Sequence, residues 1–252
     1  MRSISVAGVR TDAQTFSEAV NTFLSWSDNA EKRYISTATA YTLMMADQDE
    51  QVRLALETAD MVTADGMPVV WMQRLLGSRH AERVYGPDLV LAVCRRTSER
   101  GGRHFFYGGR EGVSEKLVGA LRTRFPDLEV VGAHGPGGDV IADVPDEATV
   151  QLLNAAAPDI IWVGLGSPKQ DIWMYTYRPH LQASLLVGVG AAFDFLSGVK
   201  AQAPLWMQRS GLEWLFRLSQ EPGRLWKRYM IYNLRFVLRV TSDLVAHGRQ
   251  AS

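Results

Sequence analysis

Apolar positions along this 252-residue chain fall into two alternating kinds of stretch. Short runs rich in β-branched and aromatic residues read as buried strands: "RYISTAT" (33–39), "HFFYGG" (104–109), "LEVVGAH" (128–134) and "DIIWVGLG" (159–166). Between them lie stretches whose apolar residues recur three and four apart, and these read as helices. They are "PVVWMQRLLG" (68–77), "GPDLVLAVCRRTSERG" (86–101), "GVSEKLVGALRTRF" (112–125) and "VPDEATVQLLNAAAP" (144–158). "LMMADQDEQVRLALETA" (43–59) reads as one further helix, "MVTADG" (61–66) as a strand end, and "SLLVGVGAAFDF" (184–195) as the last strand. Strands alternating with helices predict βαβ units. The expected fold is α/β and Rossmann-like, a mostly parallel, doubly wound sheet whose ligands bind at the carboxyl ends of the strands.

Composition adds bounds. The length and a hydrophobic fraction of 46% suit one large domain, or one domain plus an appendage. A single cysteine excludes an internal disulfide and points to a reducing compartment, and Cys94 reads as a buried small apolar residue. "MRSISVAGVR" lacks the apolar core of a signal peptide, and no apolar run approaches the ~20 residues of a spanning helix. The expected location is cytoplasmic, with peripheral attachment to the inner face of the plasma membrane.

Charge changes the picture at one end. The 27 basic and 27 acidic residues balance, yet nine of the former and three of the latter lie in 200–252, which therefore carries +6 against −6 for the rest. Residues 1–203 are expected to form the catalytic domain and 204–252 a basic helical appendage. On a helical wheel of "RLWKRYMIYNLRFVLRV" (224–240), Arg224, Lys227, Arg228, Arg235 and Arg239 share one arc. Leu225, Trp226, Tyr229, Phe236, Val237 and Val240 fill the opposite arc. Such a helix suits an anionic membrane surface; docking on its own domain or on a second subunit stays open, and no nucleic-acid partner is expected.

Candidate chemistry sits at the strand ends. In "GLGSPKQDIWM" (164–174), Gly166 lies in a Gly-rich turn, Ser167 at an N-cap position, Pro168 at the first helical position and Gln170 three residues after the cap. A helix start of this kind suits a phosphate, and Lys169 adds positive charge. Asp65, between a strand and Gly66, is either a general base or a turn aspartate. Arg83 is either a bidentate phosphate clamp or a solvated surface residue. Gly109 in "FFYGGREGV" either admits a ligand to the backbone or makes a tight turn. "GVGAAFDFLSG" (188–198) offers a Gly-x-Gly ending at Gly190, but Phe193 replaces the third glycine of a dinucleotide fingerprint. Asp194 there needs a partner if buried, a ligand or a structural hydrogen bond. "DQD" (47–49) reads as a solvated helix face, and the histidines lack ligand spacing, so neither a metal nor a cofactor is expected.

Several of these stretches, in this order, resemble one family. "TADGMPVVW" (63–71), "RVYGPDL" (83–89), "FFYGG" (105–109), "VGLGSPKQDIW" (163–173), "GVGAAFDFLSG", Ala203-Pro204-x-Trp206 and "LEWLFRLSQEPGRLWKRY" (212–229) are similar to the bacterial WecG/TagA/CpsF-type glycosyltransferases. These include the N-acetylmannosaminyl and N-acetylmannosaminuronyl transferases of teichoic-acid and enterobacterial-common-antigen synthesis, and some exopolysaccharide transferases. The resemblance spans about Tyr34 to Tyr229. It implies an inverting, metal-independent enzyme that moves a sugar from a UDP-sugar to a polyprenyl-diphosphate-linked acceptor. It implies Asp65 as the general base, Thr37 and Arg83 as pocket residues, and Gln170 as a nucleotide-sugar contact. Arg217, Arg224 and Arg228 match an appendage that completes the active site and touches the membrane. Where the family usually has Asn, this chain has Thr39, and a hydroxyl offers less hydrogen-bonding reach than an amide. An NAD(P)-dependent Rossmann oxidoreductase and a non-catalytic nucleotide-sugar-binding membrane protein are the competing readings, and a homo-oligomer stays open.

Overall fold

The structure, a computed structural model, describes residues 2–29, 31–137, 140 and 143–250, with the last six of these as backbone only. The chain opens with an antiparallel hairpin, β1 (Arg2–Val6) and β2 (Val9–Ala13), followed by α1 (Phe16–Asp28). Then come β3 (Arg33–Ala38), α2 (Ala40–Ala46), α3 (Glu50–Glu57), β4 (Met61–Ala64), α4 (Met67–Leu75), α5 (Gly86–Arg100) and β5 (His104–Gly108). The rest of the sheet domain is α6 (Val113–Arg124), β6 (Val130–His134), α7 (Glu147–Ala156), β7 (Ile160–Gly164), α8 (Lys169–Tyr177), β8 (Leu185–Gly188) and α9 (Ala192–Leu196). Three helices follow: α10 (Leu205–Arg209), α11 (Glu213–Gln220) and α12 (Pro222–Gln250).

The six strands β4-β3-β8-β7-β5-β6 form an all-parallel sheet in that order, as the doubly wound reading expects. From β3 to β4 and from β6 through β7 to β8 the chain steps one way along the sheet; from β4 through β5 to β6 it steps the other way. Right-handed crossovers then place α2, α3, α7 and α8 on one face and α5 and α6 on the other, where α1 joins them. The two apolar cores match this division. Leu43, Leu56, Leu153 and Trp173 pack on one side; Phe23, Leu89, Val93 and Leu117 pack on the other. Every strand therefore ends at the same rim, and the strand-end residues converge. At the centre of that rim a Cβ on Gly108 would lie 2.6 Å from the carbonyl carbon of Gly164, so the ends of β5 and β7 approach more closely than any side chain allows.

Four expectations change. The 43–59 stretch is two helices, because the carboxylate of Asp49 accepts from the N–H groups of Gln51 and Val52 and starts a new helix there. Asp47 and Asp49 are thus turn residues, and Asp47 pairs with Arg239 at 3.7 Å. The last strand ends at Gly188; Ala192–Leu196 is helical, with Phe193 buried in the core. The hairpin and α1 carry no strong period in sequence, although Thr15 and Glu18 form a capping box.

The fourth change concerns α12. Leu225, Tyr229, Phe236 and Val240 are buried as its docking stripe, and the helix packs on α2. Trp226 and Val237, assigned by the wheel to the same arc, are exposed instead. They join Met230, Ile231, Leu234 and Leu238 on a second, outward apolar face. Arg228 leaves the solvated arc: its guanidinium lies 3.8 Å over the Tyr41 ring. The wheel gives directions around the helix axis; only the position of α2 decides which direction is covered.

Candidate active site

Asp65 follows β4 and lies partly buried where two cavities meet. Its N–H donates to the Ala38 carbonyl at 3.0 Å, which fixes the end of β4 beside the end of β3. Its Oδ1 accepts from the N–H of Gly86, the first residue of α5, at 3.2 Å. Arg83 Nε donates to the Asp65 carbonyl, and Arg83 Nη2 donates to Glu213 Oε2 at 2.6 Å. The Arg83 guanidinium lies 3.9 Å over Tyr85, whose hydroxyl donates to Glu213 Oε1 at 3.4 Å. Burial pushes the Asp65 carboxyl up to about 6; Arg83 pulls it down and Glu213 raises it further. A carboxyl that titrates close to neutral pH suits proton transfer.

The first cavity, about 420 Å³, gathers the residues singled out in the sequence. Thr37, Thr39, Asp65, Gly109, Gly166, Lys169, Gln170, Gly190, Asp194, Arg217, Arg224 and Arg228 all line it. Arg83 lines the second cavity, which shares Thr39, Asp65, Glu213, Arg217 and Arg228 with the first, and Pro168 lines neither.

Local hydrogen bonds explain these positions. The Thr37 hydroxyl donates to the Gly188 carbonyl at 2.6 Å, tying β3 to β8. Thr39 is the N-cap of α2 in a capping box with Thr42. Gln170 is buried: its Oε1 accepts from Gly190 N–H at 2.8 Å and its Nε2 donates to Ser167 Oγ at 3.3 Å. It clamps the two Gly-rich turns together. Asp194 finds its partner in Lys200 Nζ at 2.7 Å, which also reaches Glu221 at 3.1 Å. Glu221 in turn pairs with Arg224. The Arg217 guanidinium lies 5.7 Å from the Phe195 ring centre. Burial lowers the pKa of Arg228, and its Nε has no hydrogen-bond partner among the described residues.

The turn at 164–170 is built differently from the cap expected there. Gly166, at φ +78°, supplies the carbonyl that accepts from Gln170 N–H at 2.9 Å, so the turn closes on Gly166. Pro168, not Ser167, is the N-cap residue and makes no side-chain cap bond, the Ser167–Pro168 peptide is cis, and the helix begins at Lys169.

Some residues in or behind the site carried no signal of their own. Asp171, on the first turn of α8, is fully buried; its Oδ1 accepts from Ser36 Oγ at 2.6 Å and its Oδ2 has no partner among the described residues. Burial pushes its carboxyl up to about 6, against the Ser36 hydrogen bond. Lys200, Tyr85 and Glu213 matter through partners distant in the chain, as Glu213 does through Arg83, 130 residues away. Phe193 closes off the dinucleotide reading: a Cβ on Gly164 would lie 2.7 Å from its ring, which fills the space a third glycine would leave open. Among the described residues no three His, Cys, Asp or Glu side chains gather as a metal-binding group. Among them no helix is long and apolar enough to cross a membrane.

The sequence model of the glycosyl transferase WecG/TagA/CpsF family matches residues 4–250. An N-acetylglucosaminyldiphosphoundecaprenol N-acetyl-beta-D-mannosaminyltransferase of Bacillus spizizenii is 30% identical over 203 residues, 81% of this chain and 77% of the relative. The protein of the same name from Bacillus subtilis strain 168 is 30% identical over 82% of this chain and 81% of its own length. The Staphylococcus aureus MW2 protein of that name is 26% identical over 89% and 86%.

Proposed function

The chain belongs to the WecG/TagA/CpsF family of glycosyltransferases, and from that premise we propose that it transfers a sugar from a UDP-sugar to a polyprenyl-diphosphate-linked acceptor in cell-surface polysaccharide synthesis. The observation that carries this reading is the position of Asp65, at the junction of a polar cavity with basic walls and a second, mostly apolar one. The relatives act on an undecaprenol-diphosphate-linked sugar, as their names state, and an apolar cavity next to a basic one suits such a substrate.

In this reading the polar cavity takes the sugar nucleotide. The Gly166–Gln170 turn and the arginines of the 204–252 appendage face its diphosphate. Asp65 takes the proton of the acceptor hydroxyl through Oδ2, because Oδ1 is already held by Gly86 N–H. The acceptor oxygen bonds to the anomeric carbon from the face opposite UDP, the bond from that carbon to the diphosphate oxygen breaks, and the configuration inverts. Lys169, Arg217, Arg224 and Arg228 stabilise the charge that gathers on departing UDP, so no metal ion is required. The outward apolar face of α12, with Lys227 and Arg235 beside it, supports peripheral attachment at the inner membrane surface.

A UDP-release assay over a panel of UDP-sugars and lipid-diphosphate acceptors, run with EDTA, tests this. Acceptor-dependent UDP release in EDTA is expected. Release that requires added Mg²⁺ or Mn²⁺ overturns the metal-free step, and no release with any pair overturns the reading.

A further inference from the structure

The second cavity, about 470 Å³, lies between α4 and α12, and its walls include Met67, Met72, Tyr229, Phe236 and Val240. α4 carries the wall from Met67, two residues from Asp65, to Leu75, roughly 12 Å along the helix axis. α12 carries the facing wall from Arg228 to Val240, roughly 18 Å. The charged groups are therefore at one end, where Asp65, Arg217 and Arg228 are shared with the polar cavity. Trp71, Leu75 and Val237 line the cavity while being 43%, 67% and 56% exposed, so it opens to the surface through an apolar mouth. Gly211 helps form that mouth: a Cβ there would lie 2.5 Å from the Trp71 ring.

We infer that this cavity seats the first isoprene units of the lipid acceptor, with Arg217 and Arg228, which line both cavities, standing between the diphosphate of the acceptor and that of the donor. The inference rests on the lipid-diphosphate reading above. The unpartnered Nε of Arg228 supports it, because a buried guanidinium N–H at the charged end calls for an acceptor such as a phosphate oxygen. A sugar alone would not use walls of Met, Phe and Val. A bilayer is as apolar as the cavity, so seating a prenyl chain from the membrane gains little by transfer. What the cavity supplies is position: it draws the diphosphate out of the head-group plane towards Asp65. In water the same seating becomes measurable, because each buried methylene multiplies affinity by about four.

Calorimetric titration of the full chain with methyl diphosphate and with geranyl diphosphate, a ten-carbon prenyl chain, tests the inference. Geranyl diphosphate is expected to bind at least about tenfold more tightly, with a negative heat-capacity change. Val237→Trp and Leu75→Trp fill the mouth at exposed positions; each should bring the ratio towards one and leave methyl diphosphate binding unchanged. Leu238→Gln, 63% exposed and outside the cavity lining, should leave the ratio intact. Equal binding of the two ligands by the unmodified chain, a preference that survives both filling variants, or one lost in Leu238→Gln overturns the proposal. None of these readouts uses sugar transfer. A chain that transfers sugar without a prenyl preference loses this inference alone, and one that keeps the preference without transfer loses the functional reading alone.

Discussion

Arg83 Nη2 meets Glu213 Oε2 at 2.6 Å, and through that contact the first turn of α11 holds the arginine that binds the Asp65 backbone. Both side chains are largely buried, at 15% and 13% exposure. The sheet domain and the C-terminal helices are thus joined at the candidate base. Glu213→Ala leaves Arg83 without its carboxylate and should cost about 1–3 kcal/mol of stability. It also removes a charge that raises the Asp65 pKa, so the acidic limb of the transfer pH profile should move to lower pH. A pH–rate profile of the variant checks this; an unmoved limb would separate Glu213 from Asp65.

In its proposed role Asp65 can accept a proton only when ionised. With its carboxyl near 6, kcat/KM should fall as pH drops through about 6. Asp65→Asn should lower transfer at least ~10²-fold while UDP still binds. Steady-state kinetics beside UDP titration decide the matter, and near-normal turnover by the folded variant would remove Asp65 from that role.

Asp171 gives a prediction about stability rather than rate. Its folded pKa, about 6, lies above the model-peptide value of 3.8, so the folded state binds this proton more tightly. Stability from this group is therefore gained as pH falls from 7 towards 4 and lost as pH rises through 6. A shift of this size corresponds to on the order of 2–3 kcal/mol above pH 7. Asp171→Asn should reduce the change in urea midpoint between pH 4.5 and 7.5, leaving the slope due to Asp65, whose carboxyl is also pushed up to about 6. A slope equal to that of the unmodified chain would contradict the assignment.

The outward face of α12 offers a test of membrane attachment. Leu234 and Leu238 are 61% and 63% exposed and line neither cavity. Changing both to Glu should abolish sedimentation with anionic liposomes and leave transfer to a water-soluble acceptor unaltered. Binding by the unmodified chain should weaken as salt rises, since its electrostatic share is screened. Liposome binding that persists in the double variant would place the contact elsewhere.

Much of the chain could be read before it was folded. The apolar runs at 33–39, 61–66, 104–109, 128–134 and 159–166 and most of the helices between them follow from periodicity alone, because buried parallel strands and amphipathic helices each impose their own spacing. Those runs also placed Asp65, Gly109, Gly166 and Gln170 at strand ends, and the rule that ligands bind there made them candidates. Tertiary structure alone decided what each does. Gln170 became a clamp between two turns because Gly190 N–H lies within 2.8 Å of it. Arg228 turned inward because Tyr41 on α2 waits beneath it. Glu213 gained its place from Arg83, 130 residues earlier. Period and propensity are local properties of a sequence, whereas the partner of a buried charge is fixed only when distant elements pack and exclude water.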